Sequence, residues 1–327
     1  MSSWSERASE AAGRAVHDVA QVVAGVLEAG GNRAQDALDP RGSVLGWLGG
    51  VASGVGDVLG ALIVGIGSAL AGVLGGTLRV IGGVVGRDGR LIRNGLVDMG
   101  SGTLGGLLIF VGKGVSLGQS ALGLEARKRR LSSDELAMLT SVFRESVALH
   151  DLRIIAGRSG AFRFTDRPFT LANTIYMKET GAAEWNHTLV HESTHVWQYQ
   201  HIGSRYATDA LGAQLVLGGN VAYDWQKALP GRWGDFNKEA QAQTVEDVYR
   251  FAALVGEAPA GAGAFFRANG LGSVGAFVVP PAVLPDPLSD EDRRDLADLT
   301  AGDFTELAND AVTTIRSRKT ARLVRRG

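Results

Sequence analysis

The sequence predicts an α+β fold, mainly α, in which a core of short strands and helices follows a glycine-rich, hydrophobic helical region. Three observations predict it. The pentapeptide His191-Glu192-Ser193-Thr194-His195 lies in a stretch, 184–200, that holds no Gly and no Pro. Two short runs rich in β-branched and aromatic residues, 162–165 and 169–178, precede it. Residues 42–123 carry 25 of the chain's 46 glycines, interleaved with Val, Leu, Ile and Ala.

In chain order, residues 1–41 open polar and charged and are expected as a polar N-terminal helix. Met1–Arg7 lacks the apolar core of a Sec signal peptide, so the chain is expected to be cytoplasmic at synthesis. Membrane association or export by a specialised secretion system would come later.

Residues 42–125 form the glycine-rich region. Gly42, Gly46, Gly50 and Gly54 recur four apart, which puts small residues on one helix face and lets backbones approach closely. Val58–Leu78 is uncharged for 21 residues, long enough to span a bilayer. Asp57, Arg79, Arg93 and Asp98 interrupt the apolar runs. Three readings stay open. The region is a membrane-inserting helical hairpin turning at Arg87-Asp88-Gly89-Arg90, a soluble layer packed over the core, or a flexible low-complexity segment. Its Val, Leu and Ile content argues against disorder. Glu125–Arg130 reads as a junction, either a basic membrane-proximal cluster or a solvated helix start.

Residues 126–255 hold the core. Ser132-Ser133-Asp134-Glu135 opens a helix by N-capping, with Leu136, Leu139, Val142 and Phe143 on one face. The runs 162–165 and 169–178 read as two strands separated by Asp166-Arg167-Pro168, the second a candidate rail for an extended substrate. A helix is expected over 187–201, N-capped by Asn186 and stopped by Gly203. A second helix follows Pro230-Gly231. Residues 256–285 read as linker, Ser289–Asp292 as a helix start, and Arg316, Arg318, Lys319, Arg322, Arg325 and Arg326 as a basic, solvated C-terminal tail.

The chemistry rests on the H-E-x-x-H spacing. His191 and His195 share one helix face and can reach a single metal ion, while Glu192 stands at its edge where a carboxylate can hold a water molecule. Such a set is that of a zinc hydrolase, most often a peptidase, with Glu192 as general base. A catalytic zinc typically takes three protein ligands. The best third candidate is Glu239 in the second helix, where Ala240 and Ala242 permit close approach; Glu246 and Asp235 are the alternatives. Glu246 or Asp247 could hold a ligand imidazole by its other ring N–H. His201 lacks the spacing of an extended three-histidine motif, and His187 shares the face one turn earlier without a required role. Tyr206, Tyr223 and His201 are the candidate oxyanion donors.

Thr188–Gln200 resembles the LVHELTHVWQ signature of a bacterial family of zinc metallopeptidase domains. Tyr223-Asp224-Trp225 and Asn237–Asp247 extend the resemblance, which spans about residues 150–255. It implies a zincin-like, gluzincin-type core with Glu239 as third ligand beside His191 and His195, and Zn2+ as cofactor. Members of the family stand near contractile injection systems and polymorphic-toxin or Rhs-type proteins, which implies an exported effector. One departure is Gln243, where many gluzincins carry Asp. The partners expected are a peptide or protein substrate, a membrane contacted through residues 42–125, and a secretion or injection apparatus. A net charge of −1 gives no overall attraction to nucleic acid, and the absence of Cys excludes thiolate metal sites. The alternative is a non-enzymatic membrane-inserting or assembly protein whose core is a metal-stabilised scaffold.

Overall fold

The computed structural model describes residues 4–38, 44–122, 128–156, 167–177, 182–217, 221–225, 231–254 and 301–322. Three long helices come first: α1 (Trp4–Ala37), α2 (Val44–Gly86) and α3 (Gly89–Ala121). Then follow β1 (Lys128–Arg129), α4 (Ser133–Phe143), β2 (Arg153–Ala156), β3 (Phe169–Leu171) and β4 (Thr174–Met177). Helices α5 (Ala182–Ile202), α6 (Arg205–Leu217), α7 (Lys238–Leu254) and α8 (Ala301–Arg316) complete the described elements. The chain is α+β, mainly α, with one small mixed sheet.

Helix α4 begins as its sequence dictates. Ser132 accepts from Glu135 N, and the Glu135 carboxylate accepts from Ser132 N, which satisfies two otherwise orphaned donors. The sheet runs β1-β2-β4-β3, with β2 and β4 parallel and the outer pairs antiparallel. The stretch 169–178, expected as one strand, is a hairpin. It breaks at Ala172-Asn173, with Ala172 in the left-handed region at φ 57°. The turn is held from outside: Asn173 donates to Glu28 of α1 at 2.6 Å and accepts from Gln200 of α5 at 2.8 Å. The expected strand 162–165, the linker 256–285 and the helix start at 289–292 lie outside the described residues.

The main core joins α4, β2, β4, α5, α7 and α8 through Leu139, Phe143, Ile154, Ile175, Val196 and Val245, with Leu307, Ala311 and Ile315 closing one side. The C-terminal run is therefore no loose tail: α8 belongs to the core. Beyond it Arg316 donates to the Val142 carbonyl, and Arg322 is fully buried against Glu28 and Asp151. The junction 128–130 is likewise neither a helix start nor a free basic cluster. Lys128 pairs with Asp57, Arg129 with Glu135, and Arg130 with Asp36.

Helix α5 starts at Ala182, one turn before the expected cap, so Asn186 lies inside it. Its end follows the sequence: Gly203 takes φ 71° and its N–H reaches the Tyr199 carbonyl at 3.0 Å. Two last-turn carbonyls are met by α1, where Gln21 donates to Tyr199 O at 2.6 Å and His17 Nε2 faces Gln200 O at 3.0 Å.

The glycine-rich region is a helical hairpin turning at Arg87-Asp88, with α2 between α1 and α3. Close backbone approach explains the glycines. A Cβ on Gly106 would lie 2.8 Å from Gly65 Cα, and one on Gly56 would lie 2.7 Å from the Leu27 carbonyl. Gly106→Ala is expected to destabilise the chain by about 1–3 kcal/mol, because neither backbone can yield locally. A denaturant midpoint that does not move would contradict this packing. The hairpin's inner side is tied to the core by polar contacts, as Asp57 of α2 accepts from Lys113 of α3 at 2.8 Å and Lys113 donates to Thr174 of β4 at 2.6 Å.

Candidate metal centre

Two helices build the site. Helix α5 presents His191 and His195, one turn apart with rings 5.1 Å between centroids. Helix α7 presents Glu239 in its first turn, started by Asn237, whose side-chain oxygen accepts from Glu239 N and Ala240 N at 3.0 Å each. Small Ala240 and Ala242, both buried, let α7 lie against α5.

Glu239 Oε2 stands 3.5 Å from His191 Nε2 and 3.3 Å from His195 Nε2. All three ligand atoms fall within 4.8 Å of one another, and all three residues are buried. A tetrahedron whose ligands stand about 2.1 Å from its centre has edges of about 3.4 Å. The donor set and spacing therefore fit one zinc ion.

The other ring nitrogens are engaged. His191 Nδ1 lies 3.0 Å from Glu246 Oε2, and His195 Nδ1 lies 2.8 Å from Gln198 Oε1. The Gln198 amide nitrogen donates to Lys238 O and Gln241 Oε1, so its oxygen is the atom turned to His195. An acceptor there fixes the proton on Nδ1 and leaves the Nε2 lone pair for a metal. Glu246 thus stands against the His191 ring, as one of the two carboxylates expected there. Asp247 instead accepts from Trp225 and Gln243, and Asp235 is exposed in the turn Trp233–Asp235, away from the cluster. Gln198→Leu, which removes that acceptor without opening a void, is expected to weaken zinc binding about 10–100-fold. Competition with a chromogenic chelator measures it, and unchanged affinity would remove Gln198 from the site.

Electrostatics follow from burial. Burial opposes charge on Glu239, but the imidazoles of His195 and His191 outweigh it and hold the carboxyl well below its ordinary range. Burial also disfavours charge on His191, yet Glu239 and Glu246 raise its pKa well above the ordinary value. Glu192 shifts the other way: burial raises its pKa, with His195, His191 and the Thr170 hydroxyl opposing. Thr170 donates to Glu192 Oε2 at 2.7 Å from the edge strand β3, whose buried face turns toward α5.

Two cavities flank the cluster and share Pro168, Glu192 and Tyr223. One, about 390 Å³, has Arg167, Gln243 and Glu246 on its wall. The other, about 280 Å³, is walled by Leu108, Phe169, Leu171 and Leu211. Of the candidate oxyanion donors, Tyr206 gives its hydroxyl to Thr170 O at 2.8 Å, and His201 faces Ser146 O at 2.7 Å with burial lowering its pKa to about 4. Tyr223 stands in the cleft, its ring 5.7 Å from His191 and stacked under the Arg167 guanidinium at 5.4 Å. His187 packs edge-on against Tyr249, outside the ligand cluster. Sequence reasoning missed Gln198, Thr170 and Arg167. Gln198, three residues after His195 on the metal helix, was the one with a readable signal.

Among curated proteins, the chain is similar to the type VI secretion system spike protein VgrG2b of Pseudomonas aeruginosa, 29% identical over 168 residues. The match covers 47% of this chain and 16% of that protein, so the chain spans a small part of its relative's length. No protein-family model matches the chain, and no solved structure matches it.

Proposed function

We propose that the chain is a zinc-dependent peptidase that works as an effector associated with a type VI secretion apparatus. One observation carries the enzymatic part. Two imidazole Nε2 atoms and a carboxylate converge at ligand spacing, each imidazole backed by its own acceptor, with Glu192 alongside. The likeness to a secretion spike protein supports the apparatus as partner.

His191, His195 and Glu239 would hold the metal. When bound, zinc would polarise a scissile carbonyl and lower the pKa of water in the cleft. Glu192 takes the water proton and returns it to the leaving amine. Thr170 fixes which way that carboxylate points. Of the three candidates, Tyr223, whose ring lines the cleft beside His191, would be the donor to the developing oxyanion. Strand β3 lines the cleft at the sheet edge, with its Thr170 carbonyl and the following Ala172 N–H held by the Tyr206 hydroxyl. Its neighbours Leu108, Phe169 and Leu211 favour an apolar side chain beside the cut bond.

Elemental analysis tests the reading. Wild type is expected to carry one zinc per chain, and Glu239→Ala to lose it or bind it weakly. A folded wild type that takes up no zinc when supplied would overturn the proposal.

A further inference from the structure

Beyond the active site, we propose that the outer face of the three-helix layer α1–α2–α3 lies in the plane of an anionic lipid surface. This inference is independent of the metal reading.

Along α2, Leu48, Val55, Leu59, Leu62, Ile66 and Leu70 recur at helical spacing and are each 39–52% exposed. Leu104, Leu107, Val111 and Val115 of α3 and Val19, Val23 and Val26 of α1 are exposed as well. Soluble monomers rarely leave so long an apolar face bare. The charged side chains midway along α2 and α3 point the other way, while α1 exposes Arg7, Glu10 and Arg14 toward its N-terminal end. Asp57 and Lys113 pair beneath the layer, and Asp98 takes both Arg79 of α2 and Arg205 of α6. Most glycines of the hairpin also face helix contacts inside the structure. Small residues between helices and bulky ones outward is the arrangement of helices bathed in lipid.

The geometry excludes a simple crossing. At 1.5 Å per residue, α2 and α3 are about 65 and 50 Å long, against a hydrocarbon thickness of about 30 Å. Their inner side is held to polar structure along its length, from Arg205–Asp98 through Ser204–Gly102 to Tyr176–Ser116 and Lys128–Asp57. A layer with one polar, protein-covered side and one bare apolar side fits the interface plane. Charge selects the lipid. Arg87, Arg90 and Arg93 are exposed at the hairpin turn, while the nearby Asp88 accepts from Arg90 N and Leu91 N as the cap of α3. That end is cationic and suits anionic headgroups.

The chain has no cysteine, so single cysteines can be placed cleanly. Val55→Cys, Ile66→Cys and Ile81→Cys would be introduced into the full-length chain, which retains its active-site residues, and labelled with an environment-sensitive fluorophore. The probes are vesicles of phosphatidylcholine alone or mixed with phosphatidylglycerol. All three labels are expected to shift to the blue on the mixed vesicles, with similar shallow depths by quenching with spin-labelled lipid. Binding is expected to fall about tenfold or more when Leu62, Ile66 and Leu107 are changed together to Gln, with zinc content unchanged. A depth profile deepest at the middle position would mean spanning and overturn the proposal. So would a blue shift that needs no lipid and tracks dimer formation, or no shift at all. None of these outcomes bears on zinc content, so failure here and failure of the peptidase reading remain distinguishable.

Discussion

Glu192→Gln is expected to lower peptide hydrolysis by about 10²–10⁴-fold while zinc content and the unfolding midpoint stay near those of wild type. The amide keeps the size of the carboxylate and can still accept from the Thr170 hydroxyl, so the contact with β3 survives. It cannot take a proton from water. The ligand atoms of His191, His195 and Glu239 are untouched, and the buried pocket loses a charge that burial already disfavours. Hydrolysis is measured on an unstructured protein substrate with zinc-loaded enzyme, beside elemental analysis of both forms. A variant that retains zinc and cleaves as fast as wild type would leave a metal-stabilised scaffold as the better account. A variant that loses zinc would show that Glu192 acts on the ligands and not on the water.

Arg322→Met should be the most destabilising change outside the site, by about 3–5 kcal/mol, because it strips the partner from buried carboxylates. Arg322 is fully buried: it donates to Glu28 at 2.8 Å, to Asp151 at 3.3 Å and to Gln21 at 2.7 Å, and lies over the Tyr199 ring at 5.6 Å. Burial opposes its charge, but Glu28, Tyr199 and Asp151 outweigh that and raise its pKa further, so it stays a guanidinium. Methionine fills most of the same volume, which makes lost charge rather than lost packing the main effect. Adding Glu28→Gln to Arg322→Met should recover part of the loss, since one of the orphaned carboxylates is then neutral. Urea unfolding of the two single variants and the double variant measures the coupling. A single-variant loss under about 1 kcal/mol, the range of exposed pairs, would mean that the cluster is hydrated and contributes little.

The legible parts of this chain are those whose signal is local. The metal helix and its stop at Gly203, the capping box at Ser132 and the hairpin turn near Asp88 are written in neighbouring residues, and all are found there. The convergence of His191, His195 and Glu239 was legible because the H-E-x-x-H spacing calls for a third ligand and α7 offers a carboxylate just before small Ala240 and Ala242. The missed features are set by distant partners. Ala172 carries no turn signal, yet Glu28 and Gln200 grip Asn173 from two other helices and force the bend. Arg322 looks like part of a solvated basic run until Glu28, 294 residues away, is seen to face it. Asn186 has the chemistry of a cap, but the preceding residues continue the helix through it.

The Glu28–Arg322 pair also sets a timetable. Loop closure over so much chain is entropically unfavourable and slow, and contacts of long sequence separation form late in folding. Here Glu28 of α1 is made 294 residues before the guanidinium that meets it, and the same helix holds the last-turn carbonyls of α5. The frame behind α5 is thus completed only after Arg322 has been made. A chain cut before Arg322 would carry His191, His195 and Glu239 without the complete frame behind α5, so the proposed site depends through topology on a residue far along the chain.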